Sequence, residues 1–326
     1  MSPEEWASSL KKNYLALAPL EVKDLLNSAP SPQDALNNAY ILASLYAQKQ
    51  SAPALDSSTQ SKQTQPLSPK NSILAFEQLT GNEYSQTPFP NVKYPFYPNK
   101  AHNQKAEAES LEILESQLKS GSAVRGVVVQ PIQNDGRYAS PGFYLKVQEL
   151  AKKHGALFIV NEINTGGGAT GKFWGFEHWG PQADPDVIVF GKKLQLNGVL
   201  FKPHMKPTQA SSFSFKKEPL KLMKWQSIKH TMDCDKLIWR AEKTGIHLKS
   251  LLGTLEKLSQ VRGMGTYISY DLPNEQLAQK FQNQMLRYGI ITPVRGSTVF
   301  VRPALVFDIK HANFYLDRVE RTLQVI

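Results

Sequence analysis

The sequence contains a single cysteine, Cys234, among 326 residues. One cysteine excludes a disulfide within the chain and a cysteine-rich metal site, and it is consistent with a reducing compartment. Long apolar runs are also missing, since no stretch approaches the ~20 residues of a membrane-crossing helix. We therefore predict a chain without a membrane span. Hydrophobic residues, at 41%, are sufficient for a sizeable core.

Acidic residues are scarce between Lys192 and His230, where the sequence has nine lysines and one acid, Glu218. Such a segment is either a solvated loop and helix face or a surface for an anionic partner, such as a ribonucleoprotein. The absence of arginine and the small number of aromatic residues favour the solvated face. An anionic partner bound through Lys192–Lys229 remains the alternative.

Strands and helices alternate in the middle of the chain. We predict strands over Val124–Val129, Ala156–Val160 and Val187–Phe190. Between the first two, Ser140 begins a helix that ends near Gly155, with a serine cap before proline at one end and glycine at the other. This alternation indicates an α/β fold with a parallel sheet.

The remaining pattern predicts two units, a large domain over 1–230 and a small α+β domain over 231–326. Residues 51–70 are polar and read as a low-complexity insertion. Further helices are predicted over Pro3–Leu17, Pro32–Gln48, Ala106–Lys119, Asp235–Leu258 and Asn274–Tyr288, and further strands over 265–272, near 290–293 and over Thr298–Val301.

Polar residues follow the strands of the predicted parallel sheet, where such folds bind ligands. The strand ends carry Gln130, Asn161-Glu162 and Lys192-Lys193. The glycines after Glu162 nearly match a dinucleotide fingerprint and a phosphate-binding loop, but both motifs require a helix to begin at once. The sequence FWGFEHWG follows instead, with Phe173 where a phosphate loop has Ser or Thr, which disfavours a nucleotide site.

Longer motifs carry a resemblance to a known family. Residues 160–180 read VNEINTGGGATGKFWGFEHWG and residues 185–198 read PDVIVFGKKLQLNG; GVVVQPIQNDG precedes them, and VRGMGTYISYDLP and VRPALVF follow. These runs resemble class III pyridoxal-phosphate-dependent aminotransferases, most of all the branch that acts on 4-aminobutyrate. The resemblance implies a fold-type I, aspartate-aminotransferase-like large domain with a parallel-rich sheet, a small C-terminal α+β domain and a homodimer.

The resemblance also implies a cofactor, pyridoxal 5'-phosphate, and positions that contact it. Lys193 corresponds to the lysine that forms the Schiff base, and Glu162 is the second catalytic candidate. Asn161 corresponds to the residue at the pyridine nitrogen, although Glu162 is expected on the opposite face of the strand. Further contacts are implied for Asn164, Ser28, Ala29 and Ser214 on the cofactor side, and for Asp135 and Arg302 on the substrate side.

Several of these positions depart from the family pattern. Asn161 stands where the family has an aspartate that keeps the ring protonated, a charge interaction of about 4 kcal/mol at ~4 Å and an effective dielectric near 20. Pro30 and Pro32 remove amide donors from the phosphate turn, and a ring-covering element is missing after Phe76. Phe300 stands where the family has a substrate-binding arginine.

Three hypotheses follow from the resemblance. In the first, the chain transfers an amino group from 4-aminobutyrate to 2-oxoglutarate, weakly or not at all. In the second, it is an inactive relative that serves as a structural subunit of a larger assembly, such as a mitochondrial one. In the third hypothesis, the chain is an incomplete sequence of a working enzyme, since the family's N-terminal segment has no counterpart here. The family indicates the mitochondrial matrix, and the cytoplasm is the alternative location.

Overall fold

The computed structural model describes residues 24–26, 29–51, 73–76, 84–120, 124–206 and 219–326. Two predicted segments lie outside these residues: the helix over 3–17 and, except for Ser51, the insertion over 51–70. The candidate cofactor contacts Ser28 and Ser214 also lie outside them. The predicted domain division near residue 230 stays a prediction.

A seven-stranded sheet forms the larger layer. Its strands are β1 Asp24–Leu26, β2 Ile73–Ala75, β3 Ser85–Gln86, β4 Gly126–Val129, β5 Leu157–Asn161, β6 Val187–Phe190 and β7 Gly198–Phe201, in the order β1-β7-β6-β5-β4-β2-β3. Strands β3, β2, β4, β5 and β6 run parallel, while β7 and β1 each pair antiparallel to their neighbour. The predicted α/β class is confirmed.

Three helices precede or connect these strands: α1 Pro32–Ser51, α2 Lys100–Lys119 and α3 Pro141–Lys153. The described side chains of β4, β5 and β6 are buried on both faces, as crossover helices require. One apolar cluster includes Leu114 and Val147, and a second on α1 and the sheet includes Leu42 and Val199. The helix predicted from Ser140 is confirmed, since the Ser140 side chain accepts from Phe143 N–H.

A four-stranded antiparallel sheet forms the smaller layer. Its strands are β8 Ser259–Met264, β9 Tyr267–Asp271, β10 Val294–Arg295 and β11 Thr298–Val301, in the order β10-β11-β9-β8. Helices α4 Pro219–Cys234, α5 Leu237–Leu252, α6 Glu275–Arg287 and α7 Ile309–Val325 complete the described fold. A third cluster, including Leu248, Phe281 and Val319, joins this sheet to its helices.

The helix predicted over Asp235–Leu258 is present as α5, which is shorter at both ends. The chain turns at Lys236, whose φ of 50° lies in the left-handed region, so α4 ends before it and α5 begins after it. Helix α5 then ends at Leu252, and the missed strand β8 follows. A short strand expected near residues 290–293 lies instead at Val294–Arg295.

Candidate functional site

The carboxyl ends of β4, β5 and β6 lie side by side at one edge of the large sheet. Because these strands are parallel neighbours, Gln130, Asn161-Glu162 and Lys192-Lys193 are brought to the same edge, as the sequence predicted. Lys192–Leu194 form a 3₁₀ turn directly after β6, and this turn fixes where both lysines begin.

Lys193 is mostly buried against the chain that follows β11. Its Nζ donates to the carbonyl of Pro303 at 3.1 Å. Burial, followed by the nearby charge of Arg302, lowers the pKa of Lys193 to about 8. A substantial fraction of this amine is therefore neutral near physiological pH, which an amine needs before it can attack a carbonyl group.

Asn161 is the last residue of β5 and is 4% exposed. Its Oδ1 accepts a hydrogen bond from Ile163 N–H at 3.1 Å, which stabilises the turn that leaves the strand. The acceptor atom of this amide is thus engaged by its own backbone, and the side chain carries no charge.

Glu162 is fully buried, with 0% exposure. Its carboxylate accepts from Thr165 Oγ1 and from Phe176 N–H, the latter at 2.9 Å, and so ties both ends of the glycine loop together. Burial raises its pKa to about 7, against the opposing effect of these donors. These contacts support a structural role; a catalytic role for Glu162 stays a prediction.

The glycine loop does not open into an α-helix. After Gly171 the chain forms a 3₁₀ turn over Gly175–Trp179, which agrees with the argument against a nucleotide motif. Gly167 has a φ of 88°, and a Cβ there would lie 3.0 Å from Leu194 and 3.5 Å from the Cβ of Lys193. The loop therefore packs directly on the turn that carries Lys193.

Asn164 connects two strand ends. Its Nδ2 donates to Asn134 Oδ1 at 2.8 Å, and its Oδ1 accepts from Lys192 Nζ. The side chain predicted to contact the cofactor is thus placed beside Lys192, the neighbour of Lys193.

Arg302, predicted to bind substrate, is surrounded by protein acceptors. Its Nη1 donates to the carbonyls of Ile268 and Val301, and its Nη2 lies 3.0 Å from Ser269 Oγ and 3.4 Å from the carbonyl of Asn134. The guanidinium carbon also lies 3.5 Å from the centre of the Tyr267 ring. Arg302 thereby joins the small sheet to the loop after β4.

Asp135, the other predicted substrate residue, pairs with Arg137 through a 2.7 Å contact between Oδ2 and Nε. Its backbone carbonyl accepts from Arg262 Nε at 2.9 Å. Sequence reasoning missed Arg262, which is 4% exposed and also pairs with Asp271. A single arginine in a strand gives no sequence signal that it spans two sheets.

The turn before α1 is where the resemblance places the cofactor phosphate. The Ala29 N–H donates to the carbonyl of Asn197 at 2.9 Å. Ser31 donates from both its N–H, at 3.0 Å, and its Oγ, at 2.7 Å, to Asp34 Oδ2, so a carboxylate already occupies the first turn of the helix. Sequence reasoning missed Asp34, although Ser31-x-x-Asp34 is a capping pattern.

The described lysines of the basic segment are partly neutralised. Lys202 contacts Asp184 at 2.7 Å and Asp186 at 2.9 Å, and Lys229 pairs with Asp233. These pairs are consistent with a solvated face. In the described part of the chain no helix combines the length and apolar character needed to cross a bilayer.

Comparison with known proteins identifies the family. The model of aminotransferase class III matches residues 64–323. The chain belongs to the class III aminotransferases. It is 32% identical over 250 residues to the probable mitochondrial 4-aminobutyrate aminotransferase of Caenorhabditis elegans, a match covering 72% of this chain and 52% of the relative. The mitochondrial 4-aminobutyrate aminotransferase of Sus scrofa is 33% identical over 244 residues, with 71% and 49% covered.

Solved structures share the fold of this class III aminotransferase. Lysine aminotransferase from M. tuberculosis superposes with a TM-score of 0.85 at 19% identity. The match covers 100% of this chain and 80% of the lysine aminotransferase chain. Ornithine aminotransferase from Plasmodium yoelii has a TM-score of 0.75 at 20% identity, with 100% and 79% covered. The predicted fold type is confirmed, while the chain spans about half the length of the curated relatives first matched.

The family implies pyridoxal 5'-phosphate as cofactor, and the residues present fit it only in part. Lys193 offers a buried amine of lowered pKa. Asn161 offers a neutral amide, whereas the ring nitrogen needs an acid to stay protonated. The carboxylate of Asp34 stands where a phosphate would be repelled. The site as a whole therefore does not match the phosphorylated cofactor.

Proposed function

We propose that this chain keeps the amine of a class III aminotransferase but transfers amino groups between 4-aminobutyrate and 2-oxoglutarate weakly or not at all. One observation carries the proposal: the side chain at the end of β5 is an amide whose oxygen accepts from Ile163 N–H. The cofactor would supply an electron sink, and that sink needs a ring-bound proton which Asn161 has no charge to retain.

The residues around Lys193 support the retained amine. Gly167 and Leu194 pack against the turn that carries it, and Pro303 accepts its hydrogen bond at 3.1 Å. Exclusion of water by these contacts favours the neutral form of the amine. The same contacts orient Nζ towards the small domain, where a bound carbonyl compound would have to displace the Pro303 carbonyl.

A non-catalytic structural subunit is the second candidate. The engagement of Arg302 and Asp34 by neighbouring protein groups favours it, because both lie where a working enzyme would bind charged ligands. On this proposal the chain forms a homodimer and resides in the mitochondrial matrix, as its mitochondrial relatives suggest, with the cytoplasm as alternative. Binding of an anionic partner through Lys192–Lys229 belongs to the same proposal.

The test is a coupled assay of glutamate formation from 4-aminobutyrate and 2-oxoglutarate, with added pyridoxal phosphate. Loss of a charge interaction of about 4 kcal/mol predicts a rate roughly three orders of magnitude below that of the pig enzyme under the same conditions. A rate within tenfold of the pig enzyme would refute the proposal.

The informative variant is Asn161→Asp, with Asn164→Asp as the matched control. The proposal predicts a rise in rate with the first variant and no rise with the second, because only the first places a carboxylate at the end of β5. An unchanged rate in Asn161→Asp would assign the loss to the phosphate turn rather than to the ring position.

A further inference from the structure

Several neutral amides lie at the edge that carries Lys193. Gln130 and Gln133 are 3% and 6% exposed, and neither the Oε1 of Gln130 nor the Nε2 of Gln133 has a hydrogen-bond partner among the described residues. Asn134 and Asn164 bond to each other beside them. Amides of this kind pair with hydroxyl, carbonyl or amide groups and do not neutralise a charge.

Cations near this edge are already committed to protein acceptors. All four Nη hydrogens of Arg302 can be assigned to Ile268, Val301, Ser269 and Asn134. The edge of the guanidinium formed by Nη1 and Nη2, which could bind a carboxylate in two parallel hydrogen bonds, is therefore occupied.

Other cations near this edge are engaged as well. Arg262 donates to the carbonyls of Asp135 and Gln260 and pairs with Asp271 at 3.0 Å. Arg137 pairs with Asp135, and Lys192 donates to Asn164. The centre of the Phe300 ring lies 5.3 Å from the guanidinium carbon of Arg302, and the ring carries no charge.

An anion is disfavoured at the start of α1 too. Asp34 Oδ2 accepts from Ser31 at 2.7 Å and 3.0 Å, and Ala29 N–H is bound to Asn197. A phosphate at this helix end would lose the amide donors that such sites use and would meet a carboxylate.

We propose that the Lys193 site accepts carbonyl compounds that carry neither carboxylate nor phosphate, with Arg302 acting as a positioning residue rather than a substrate clamp. This inference rests on the proposed function, since it requires the reactive amine. Arg302 holds the loop after β4 and strand β9 around Lys193 by donating to both.

The chemistry that reports this selectivity is reductive alkylation of the protein without cofactor. The lone pair of Lys193 Nζ attacks the aldehyde carbon, water leaves, and a carbon–nitrogen double bond forms. Cyanoborohydride then delivers a hydride to that carbon, while a proton from water goes to nitrogen, which leaves a stable secondary amine.

The experiment compares butanal with 4-oxobutanoate, which have the same four-carbon chain and differ in the terminal carboxylate. Adducts are mapped by peptide mass spectrometry at neutral pH, with Lys105, whose side chain is 81% exposed, as the internal reference. We expect Lys193 to react with butanal at least tenfold faster than with 4-oxobutanoate after normalisation to Lys105.

Two variants locate the selectivity. Phe300→Arg adds an uncommitted guanidinium beside the site and is expected to raise the labelling of Lys193 by 4-oxobutanoate at least tenfold. Phe300→Leu, which removes the ring without adding charge, is expected to leave that labelling unchanged.

The outcomes separate the inference from the proposal beneath it. Equal or preferred labelling of wild-type Lys193 by 4-oxobutanoate overturns the inference alone, because the amine would be reactive yet would accept a carboxylate. Labelling of Lys193 no faster than Lys105 by either aldehyde overturns both, because the reactive amine would be missing.

Discussion

Glu162 couples the stability of the glycine loop to pH. Burial holds its folded pKa at about 7, above the usual 4.5, so the folded state binds the proton more tightly than the unfolded state. The free energy of unfolding therefore falls as pH rises from about 4.5 to about 7, by roughly 3 kcal/mol. Chemical denaturation across this range measures the fall, which Glu162→Gln is expected to abolish.

The control for this prediction is Glu149→Gln, which removes an exposed carboxylate paired with Lys146. Its pH profile should match the wild type, since exposed pairs contribute little. A wild-type profile that stays flat or rises between pH 4.5 and 7 would contradict the buried, protonated state of Glu162.

Helix α1 is stabilised at its first turn by its own side chains. Ser31 Oγ accepts from Asp34 N–H at 3.1 Å, and Asp34 accepts from Ser31 in return. Removal of the reciprocal cap by Asp34→Ala should lower the free energy of unfolding by about 1 kcal/mol. The same variant should bind inorganic phosphate or pyridoxal phosphate more tightly than the wild type, as measured by calorimetry.

Gln33→Ala is the matched control, since Gln33 lies in the same turn and its Nε2 donates to Asn37 Oδ1 at 3.2 Å. It should change anion affinity little. Tighter anion binding in the wild type than in Asp34→Ala would mean that the helix end is a working phosphate site.

The two sheets are joined by two arginines, of which Arg262 is buried and Arg302 is partly buried. Arg302 links Ile268 and Asn134, and Arg262 links Asp271 and Asp135. Arg302→Met removes a charged donor from three carbonyls, so we expect the free energy of unfolding to fall by roughly 2–4 kcal/mol. Denaturant unfolding followed by both tryptophan fluorescence and circular dichroism should then show separate transitions for the two sheets.

Arg321→Met is the control for this prediction, because Arg321 forms a surface pair with Asp317 and is 59% exposed. It should cost less than ~1 kcal/mol and preserve a single transition. A single, unshifted transition in Arg302→Met would show that Arg302 is free to serve another role.

The sequence predicted the sheet edge well because strand-and-helix alternation is a local signal. Burial on both faces makes β4, β5 and β6 visible as apolar runs, and parallel order then brings Asn161 and Lys193 to one edge. The family motifs placed both residues within intact sequence. The helix cap at Ser140 was equally local and was confirmed, and the helix predicted over Asn274–Tyr288 is α6.

Long-range contacts were beyond the reach of the sequence. The resemblance placed Arg302 on the substrate side, yet its donors are engaged by atoms on another strand and in the loop after β4. The break at Lys236 depends on a left-handed conformation that lysine rarely signals. Such features arise from tertiary packing, so periodicity and motifs do not contain them.

The most direct test of the account measures cofactor attachment to Lys193. Purified protein is mixed with equimolar pyridoxal phosphate or with equimolar pyridoxal, reduced with borohydride, and analysed by intact mass and peptide mapping. The account predicts far less than one phosphorylated adduct per chain, with pyridoxal modifying Lys193 at least as well as pyridoxal phosphate. One pyridoxal phosphate per chain on Lys193, with pyridoxal failing to compete, would contradict it.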